Sequence, residues 1–238
     1  MHRLLYRSLQ HALLLGSLMT TCAAPADAAL IINEIDYDQP GSDRAEFVEL
    51  FNTGTALNLT GYTLDLINGS TGVAYRHFPL GTNGLSAGGY FVLCGEPNSV
   101  PNCNLDVSPN RNLIQNGAPD AVALLLAGVV VDAVSYEGSV PAPYVEGSGS
   151  GLADSSGIAY LGLSRWPNGA DSGNNQLDFS PHCITPGSAN SAGTGACAAP
   201  AAHAADASVP EPGTLVLLVT GVATAFIRIR RSPRQRRK

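Results

Sequence analysis

Short segments rich in β-forming residues recur along the chain, separated by clusters of Gly, Asn and Pro. Eight segments of six to eight residues have this composition: Leu30–Tyr37, Ala45–Asn52, Leu59–Leu66, Gly72–Phe78, Gly89–Cys94, Ala121–Leu126, Val129–Tyr136 and Leu161–Trp166. Only Ala127-Gly128 separates two of them, which predicts a tight hairpin. No helical period of useful length occurs before the C-terminal region. This spacing predicts an all-β fold, an antiparallel sandwich or barrel.

Two of these segments carry polar residues where strand alternation predicts apolar ones. Asn33 shares a predicted face with Ile35, and Glu49 shares one with Phe47 and Phe51. A polar side chain between apolar neighbours needs a hydrogen-bond partner or a β-bulge. We expect Asn33 and Glu49 to tie loops to the sheet; a binding or catalytic pair is the alternative.

The formal net charge of −6 conceals an uneven distribution of charged residues. Seven of the 13 basic residues lie between Arg228 and Lys238, and Arg3 and Arg7 lie near the N-terminus. The body, residues 29–209, retains four arginines, no lysine and 17 acidic residues, a net charge of −13. A field of that sign repels nucleic acid, so we expect no nucleic-acid partner.

The segment 1–28 has the composition of a secretory signal peptide. Arginines precede a short apolar stretch, residues 12–19, that is too short to span a bilayer. Ala26-Asp27-Ala28 places small residues at the positions that signal peptidase requires, so we predict a mature chain that begins at residue 29. A lipoprotein signal that uses Cys22 is the alternative, but the residues before Cys22 depart from its usual context.

The C-terminal residues 209–238 combine three features in a row. The tetrapeptide Val209-Pro210-Glu211-Pro212 is followed by 15 uncharged residues, Gly213–Ile227, and then by an arginine cluster. As a helix the uncharged run is about 22 Å long, but snorkelling arginines make one transmembrane span feasible. The arginines predict a cytoplasmic C-terminus and an exported body. The Ala/Gly-rich residues 191–208 predict a flexible linker between the body and the span.

This order of features resembles the PEP-CTERM sorting signal of Gram-negative bacteria, with Val209, Pro210, Glu211 and Pro212 as the motif. The resemblance implies that an exosortase, a protease of the inner membrane, recognises the motif and removes the helix. It also implies transient anchoring in the inner membrane, followed by a place in the cell envelope, at the surface or in the extracellular matrix. Exopolysaccharide or a protein of the biofilm matrix is the partner that the resemblance implies.

Four cysteines remain after removal of the predicted signal peptide, an even number in an exported chain. We expect disulfides among Cys94, Cys103, Cys183 and Cys197, with three connectivities open. A Cys94–Cys103 bond would close a ten-residue loop rich in turn residues, which leaves Cys183 to pair with Cys197. Zinc would need closely spaced ligand pairs, and the chain has none.

Five parts of the body resemble, in order, a bacterial lamin-tail domain. "IINEIDYD" followed by "AEFVELFNTGTALNLTGYTL" is similar to its opening, and "LSAGGYFVL" is similar to a middle strand. "VVVDAVSY" is similar to a late strand, and "LSRWPNGADSGNNQLDF" with "TPGSAN" is similar to its closing signature. The resemblance implies an immunoglobulin-like β-sandwich over residues 29–190 that acts in binding or targeting. Such bacterial domains often accompany secreted hydrolases, and we expect no attached catalytic domain here.

The body lacks the usual signatures of an enzyme, because it has no nucleophile-elbow, P-loop or dinucleotide-binding motif. Only His77, His182 and His203 remain after processing, and we expect them to be structural. We therefore predict a non-enzymatic exported sandwich that acts as an adhesive, scaffolding or binding module. An extracellular hydrolase whose site is hidden in the sequence is one alternative.

A calcium-dependent binding module is the other alternative. The loop "DSGNNQLD" offers four oxygen-bearing candidates, Asp171, Asn174, Asn175 and Asp178. Hard oxygen ligands in loops suit weak extracellular Ca²⁺ sites. Asp and Asn also stabilise turns, and the overlap with the closing signature favours that structural role, so we predict no obligatory cofactor. The single tryptophan, Trp166, offers a surface for a sugar, but we expect it to pack against the rim of the sandwich.

Overall fold

The computed structural model describes residues 29–201. The predicted signal peptide, the predicted transmembrane helix and the whole of residues 202–238 lie outside this range. In chain order the elements are β1 (Leu30–Asp36), β2 (Phe47–Asn52), β3 (Leu57–Asn58), β4 (Tyr62–Asn68), β5 (Val73–Pro79), β6 (Gly84–Leu85), β7 (Tyr90–Cys94), β8 (Leu105–Asp106), β9 (Asp120–Leu126), β10 (Val129–Tyr136), β11 (Leu161–Arg165), α1 (Asn175–Asp178) and β12 (Phe179–Cys183). None of the helices within residues 29–201 is long and apolar enough to cross a membrane.

Two β-sheets pack face to face. The large sheet has six strands in the order β12-β11-β1-β2-β7-β8, and the small sheet has four in the order β10-β9-β4-β5. Strands β3 and β6 form a separate pair. Within residues 29–201 every pairing is antiparallel except the short β7–β8 pair. The predicted antiparallel β-sandwich is therefore confirmed.

All eight predicted strands are present, with ends that shift by up to three residues. Strand β12 was not predicted, because its centre is Pro181, which has no backbone N–H for a sheet. The structure places β12 at the edge of the large sheet, the position where a proline is tolerated. Strands β3, β6 and β8 and helix α1, each of two to four residues, were also not predicted.

Aliphatic side chains from both sheets form the core between them. In β9, Val122 and Leu124 belong to this core, whereas Ala121 and Ala123 lie on the opposite face of the small sheet, in a second cluster. This is the alternation that a strand imposes. The side chains that are fully buried hold the two sheets together and leave the loops to carry any functional site.

A β-bulge in β1 explains the polar residue that interrupts its apolar pattern. The register between β1 and β2 shifts between Ile32 and Glu34, so that Ile32 and Ile35 both lie in the core. Asn33 is buried, and its Nδ2 donates a hydrogen bond of 2.8 Å to Glu49 Oε1. Asn33 therefore has both the bulge and the partner that its position requires.

Tight turns and disulfides complete the frame. Ala127 and Gly128 have φ values of +50° and +81°, and they form the predicted two-residue hairpin between β9 and β10. Two disulfides are present, Cys94–Cys103 and Cys183–Cys197. The first closes the loop after β7, and the second fixes the chain after β12 to the large sheet.

Candidate functional site

Arg165, the last residue of β11, has a side chain with 0% exposure that lies among four carboxylates. Its guanidinium nitrogens are 2.9, 3.2, 3.4 and 4.0 Å from the nearest oxygens of Asp132, Asp171, Asp178 and Glu146. Its Nε donates to the Ile32 carbonyl at 2.7 Å, and the Phe179 ring lies 4.7 Å from its central carbon. Because Asp132 of β10 also accepts from the Ile32 N–H at 2.5 Å, the cluster joins the two sheets.

Asn175, one of the four calcium candidates, is wholly used by the fold. Its Oδ1 accepts hydrogen bonds from the backbone N–H groups of Ser135 and Glu146, at 3.2 and 3.1 Å. Its Nδ2 donates to the Ala133 carbonyl at 2.8 Å. The Asn175 amide therefore connects the loop of residues 171–178 to β10.

The other three candidates stabilise the same loop. Asn174 caps α1 through a hydrogen bond that its Oδ1 accepts from the Gln176 N–H at 3.2 Å. Asp178 Oδ2 accepts from the Ser172 N–H at 2.9 Å, and Asp171 contacts the arginine described above. Among residues 29–201, no group of three or more His, Cys, Asp or Glu residues is arranged to hold a metal ion. Calcium binding stays an untested alternative, and an unchanged melting temperature in excess Ca²⁺ would contradict it.

Residues 184–190, the closing segment, follow β12 and cross the outer face of the large sheet. Glu34 Oε2 accepts a hydrogen bond from the Thr185 N–H at 2.9 Å, and Glu49 Oε2 accepts one from the Gly187 N–H at 2.6 Å. The two glutamates have 0% exposure and are neighbours across β1 and β2. They therefore hold the closing segment against the sheet.

Asn190 anchors the end of the closing segment. Its Nδ2 donates to the carbonyls of Asn33 and Arg165, at 3.1 and 2.9 Å. Its backbone N–H donates to Asn168 Oδ1 at 2.9 Å. The pattern-breaking pair Asn33 and Glu49 thus ties loops to the sheet, which is the structural role expected for it.

Burial changes the acidity of these carboxyl groups. It raises the pKa of Glu34 to about 7, although hydrogen bonds from Ser164 and Thr185 lower it. Burial, followed by the charge of Glu34, raises the pKa of Glu49 well above its ordinary value. Burial also raises the pKa of Asp154, to about 6, on the loop next to β1. Buried carboxyl groups on and next to the outer face of the large sheet therefore share raised pKa values.

The two histidines within residues 29–201 each have one polar partner. His77 Nδ1 lies 2.5 Å from Asp65 Oδ1 on the small sheet, and the His77 side chain is 58% exposed. His182 Nε2 lies 2.8 Å from Ser180 Oγ, but its Nδ1 is buried without a hydrogen-bond partner. Within the described range neither pair completes a Ser–His–acid triad. His203 lies outside that range.

Trp166 follows β11 and lies at the rim of the large sheet. Its ring centroid is 5.5 Å from that of His182, and 41% of the residue is exposed. This contact agrees with the expected rim packing and leaves one part of the indole open to solvent.

Two surface cavities lie among the loops. The disulfide-framed cavity, of about 620 Å³, lies between residues 39–45, 97–101, 159–160 and 199–200. A second cavity of about 500 Å³ is lined mainly by amide and carboxylate side chains, among them Asp43, Asn112 and Asp120. Sequence analysis identified neither cavity, because each is assembled from loops that are distant in the chain.

The sequence analysis also missed Asp132 and Glu146 of the arginine cluster. Asp132 had a signal, since it is the one charged residue in the strand "VVVDAVSY". A charge in such a strand must be paired once it is buried. Glu146 lies in a Gly/Ser-rich loop and had no comparable signal.

Comparisons with known proteins agree with this architecture. No curated protein matches the chain. The lamin tail domain family matches residues 23–138, and the PEP-CTERM protein-sorting motif matches residues 208–231. The domain match ends before β11 and β12, which pair in the same sheet as β1.

The sorting motif implies processing by an exosortase during export and membrane-associated sorting to the cell envelope or surface. Residues 23–138 thus match a lamin tail domain and residues 208–231 match a PEP-CTERM sorting motif, in a chain whose described residues form an immunoglobulin-like sandwich.

Proposed function

We propose that the mature protein is a non-enzymatic binding module of the cell envelope or extracellular matrix. The exosortase removes the C-terminal helix, and the sandwich then adheres to polysaccharide or protein of the matrix. The two matched families, a lamin tail domain and a sorting motif, are a module and a signal rather than catalytic families, which supports this proposal.

One observation carries the non-enzymatic part of the proposal: Arg165, Glu34 and Glu49, which are buried and charged, bind groups of the protein's own strands and loops. The Arg165 guanidinium lies among carboxylates, and Glu34 and Glu49 accept hydrogen bonds from the closing segment. A catalytic group must instead be free to contact a substrate. These contacts therefore support a structural rather than a catalytic use of the three residues.

The sorting part is tested at the motif by measuring the intact mass of the mature protein. We expect protein from wild-type cells to lack residues 214–238. A variant in which Pro210, Glu211 and Pro212 are replaced by Ala should retain them and stay in the membrane fraction. Asp206→Ala, in the predicted linker before the matched residues 208–231, is the matched control and should be processed normally. A wild-type mass that includes residues 214–238 would contradict the proposal.

The binding part is tested on cells that lack the chain. We expect these cells to retain less matrix polymer, and we expect the wild-type chain to restore it. The purified mature protein should leave the length of matrix polysaccharides unchanged on prolonged incubation. Polymer that becomes shorter would instead favour the hydrolase alternative.

A further inference from the structure

Two walls of the disulfide-framed cavity lie inside or directly after a disulfide. Residues 97–101 lie inside the loop that Cys94–Cys103 closes. Residues 199–200 follow Cys197, which is bonded to Cys183 of β12. A cavity whose walls are rigid before binding loses little conformational entropy when a ligand enters. Its volume of about 620 Å³ lies in the range typical of small-ligand sites.

Tyr160 supplies the aromatic surface of this cavity. Its φ of +60° is a left-handed conformation that bulky residues rarely adopt, and such conformations concentrate at ligand sites. The Tyr160 carbonyl accepts a hydrogen bond from the Ile184 N–H at 2.9 Å, and its ring packs against a cluster that includes Phe47 and Val92. The ring is thus held in place while it lines the cavity.

Arg44 supplies unused hydrogen-bond donors. It is exposed at the cavity wall, and the hydroxyl groups of Ser42 and Ser99 lie on the same wall. Among residues 29–201, none of these three side chains has a hydrogen-bond partner within the protein. This contrasts with Arg165, whose guanidinium is fully paired. Free donors beside an aromatic ring are the groups that recognise hydroxyl-rich ligands.

The charges of the body indicate which hydroxyl-rich ligand fits. A net charge of −13 over residues 29–209 repels a polyanion such as a uronic-acid polymer. Arg44 disfavours a cationic sugar at the cavity itself. The nearby carboxylate of Glu96, whose pKa is lowered by hydrogen bonds from Asn110 and Asn98 and then by the Arg44 charge, offsets the charge of that arginine. A neutral ligand meets neither repulsion.

We propose that the disulfide-framed cavity binds a short stretch of neutral polysaccharide. Tyr160 stacks on the apolar face of one sugar ring, and Arg44, Ser42 and Ser99 hydrogen-bond to its hydroxyl groups. Prolines at positions 40, 97, 101 and 200 line the remaining apolar surface. This inference rests on the binding function proposed above and names the ligand class and the site.

The test is affinity electrophoresis of the mature exported protein through native gels that contain dextran, galactomannan or alginate. We expect dextran or galactomannan to retard the wild-type protein, with little effect of salt, since no net charge is neutralised. Arg44→Gln should weaken binding about tenfold, because it removes donors of a charged group. Tyr160→Asn removes the ring, keeps a residue that tolerates positive φ, and should also weaken binding about tenfold. Arg76→Gln, an exposed arginine on the small sheet, is the matched control.

The outcomes separate this inference from the proposed function. Retardation by neutral polymer that persists in both cavity variants overturns the cavity as the site but leaves the binding function in place. Retardation by alginate alone, or binding to an array of acidic and proline-rich peptides without binding to polysaccharide, overturns the ligand class. Circular-dichroism melting of each variant checks that it folds. If Tyr160→Asn does not fold, Arg44→Gln still tests the cavity.

Discussion

Each of the two sheets has a buried region on its outer face, but different chemistry covers the two regions. On the small sheet, side chains such as Ile67, Ala123 and Ala133 pack into an apolar cluster. On the large sheet, Glu34 and Glu49 are equally buried and hold the closing segment by hydrogen bonds. The stability of the apolar cover does not depend on charge. The polar cover instead specifies which segment lies on the sheet, and its stability depends on the protonation of its carboxyl groups.

The largest effect is expected at the buried arginine that joins the two sheets, the one arginine with a buried side chain among residues 29–201. We expect Arg165→Met to destabilise the protein by about 3–5 kcal/mol, because it leaves several buried carboxylates without a positive partner. Urea unfolding of the variant measures this loss. Arg76→Met, on the exposed β5 of the small sheet, should change stability by less than about 0.5 kcal/mol. Equal losses of stability in the two variants would contradict the contrast between buried and exposed arginines.

The next largest effect is a dependence of stability on pH. Burial raises the pKa of Glu34 and Glu46 to about 7 and that of Glu146 to about 8. A carboxyl group with a raised folded-state pKa contributes stability below its unfolded pKa, near 4.5, and that contribution is lost as the pH rises through the folded value. The melting temperature should therefore fall by several degrees between pH 5 and pH 8.

Glu34→Gln sharpens this prediction. The glutamine cannot ionise, so the melting temperature of the variant should fall less steeply than that of the wild type over the same pH range. Calorimetry at several pH values measures both slopes. A wild-type stability that rises between pH 5 and pH 8 would refute the assignment of raised pKa values.

Loss of the anchor at the end of the closing segment should have a moderate effect. We expect Asn190→Ala to destabilise the protein by about 1–3 kcal/mol, because it leaves the buried Asn33 and Arg165 carbonyls without that donor. Hydrogen exchange of the Thr185 and Gly187 amides should accelerate in the same variant. Asn58→Ala, which removes exposed side-chain hydrogen bonds, should leave those amides unaffected.

The smallest effect is expected on the small sheet. His77→Gln removes a pair with Asp65 in which the histidine side chain is 58% exposed. Exposed pairs contribute little because solvent screens them, so stability should change by about 0.5 kcal/mol or less. A loss comparable to that of Asn190→Ala would show that the small sheet also depends on polar contacts.

Local pattern was enough to predict eight of the strands and to name a bulge as one of two ways to accommodate Asn33, because both follow from alternation within a few residues. Asn33 interrupts the apolar face of β1, and the register between β1 and β2 shifts next to it. Edge strand β12 was not predicted, because Pro181 is compatible with a strand only at the edge of a sheet and the sequence does not show where that edge lies. The sequence was thus enough to predict the sandwich, but not the strand that ends its large sheet.

The polar cluster was less predictable because its partners are far apart in the chain. Arg165 and Asp132 are separated by 33 residues, and Asn190 and Asn33 by 157. The loop of residues 171–178 was recognised as rich in oxygen ligands, but its main partner, a buried arginine, is rare enough that composition does not suggest it. The same oxygens suit a cation or a guanidinium, and only the fold decides between them.

The Cys183–Cys197 disulfide also determines how the domain bears tension. A pull on the chain beyond residue 201 reaches Cys197 and crosses the disulfide to the end of β12, where the two Cα atoms are 5.3 Å apart. The intervening residues, including the closing segment, lie outside this load path. A tethered sandwich can therefore be dragged by its C-terminus without its outer cover being peeled away.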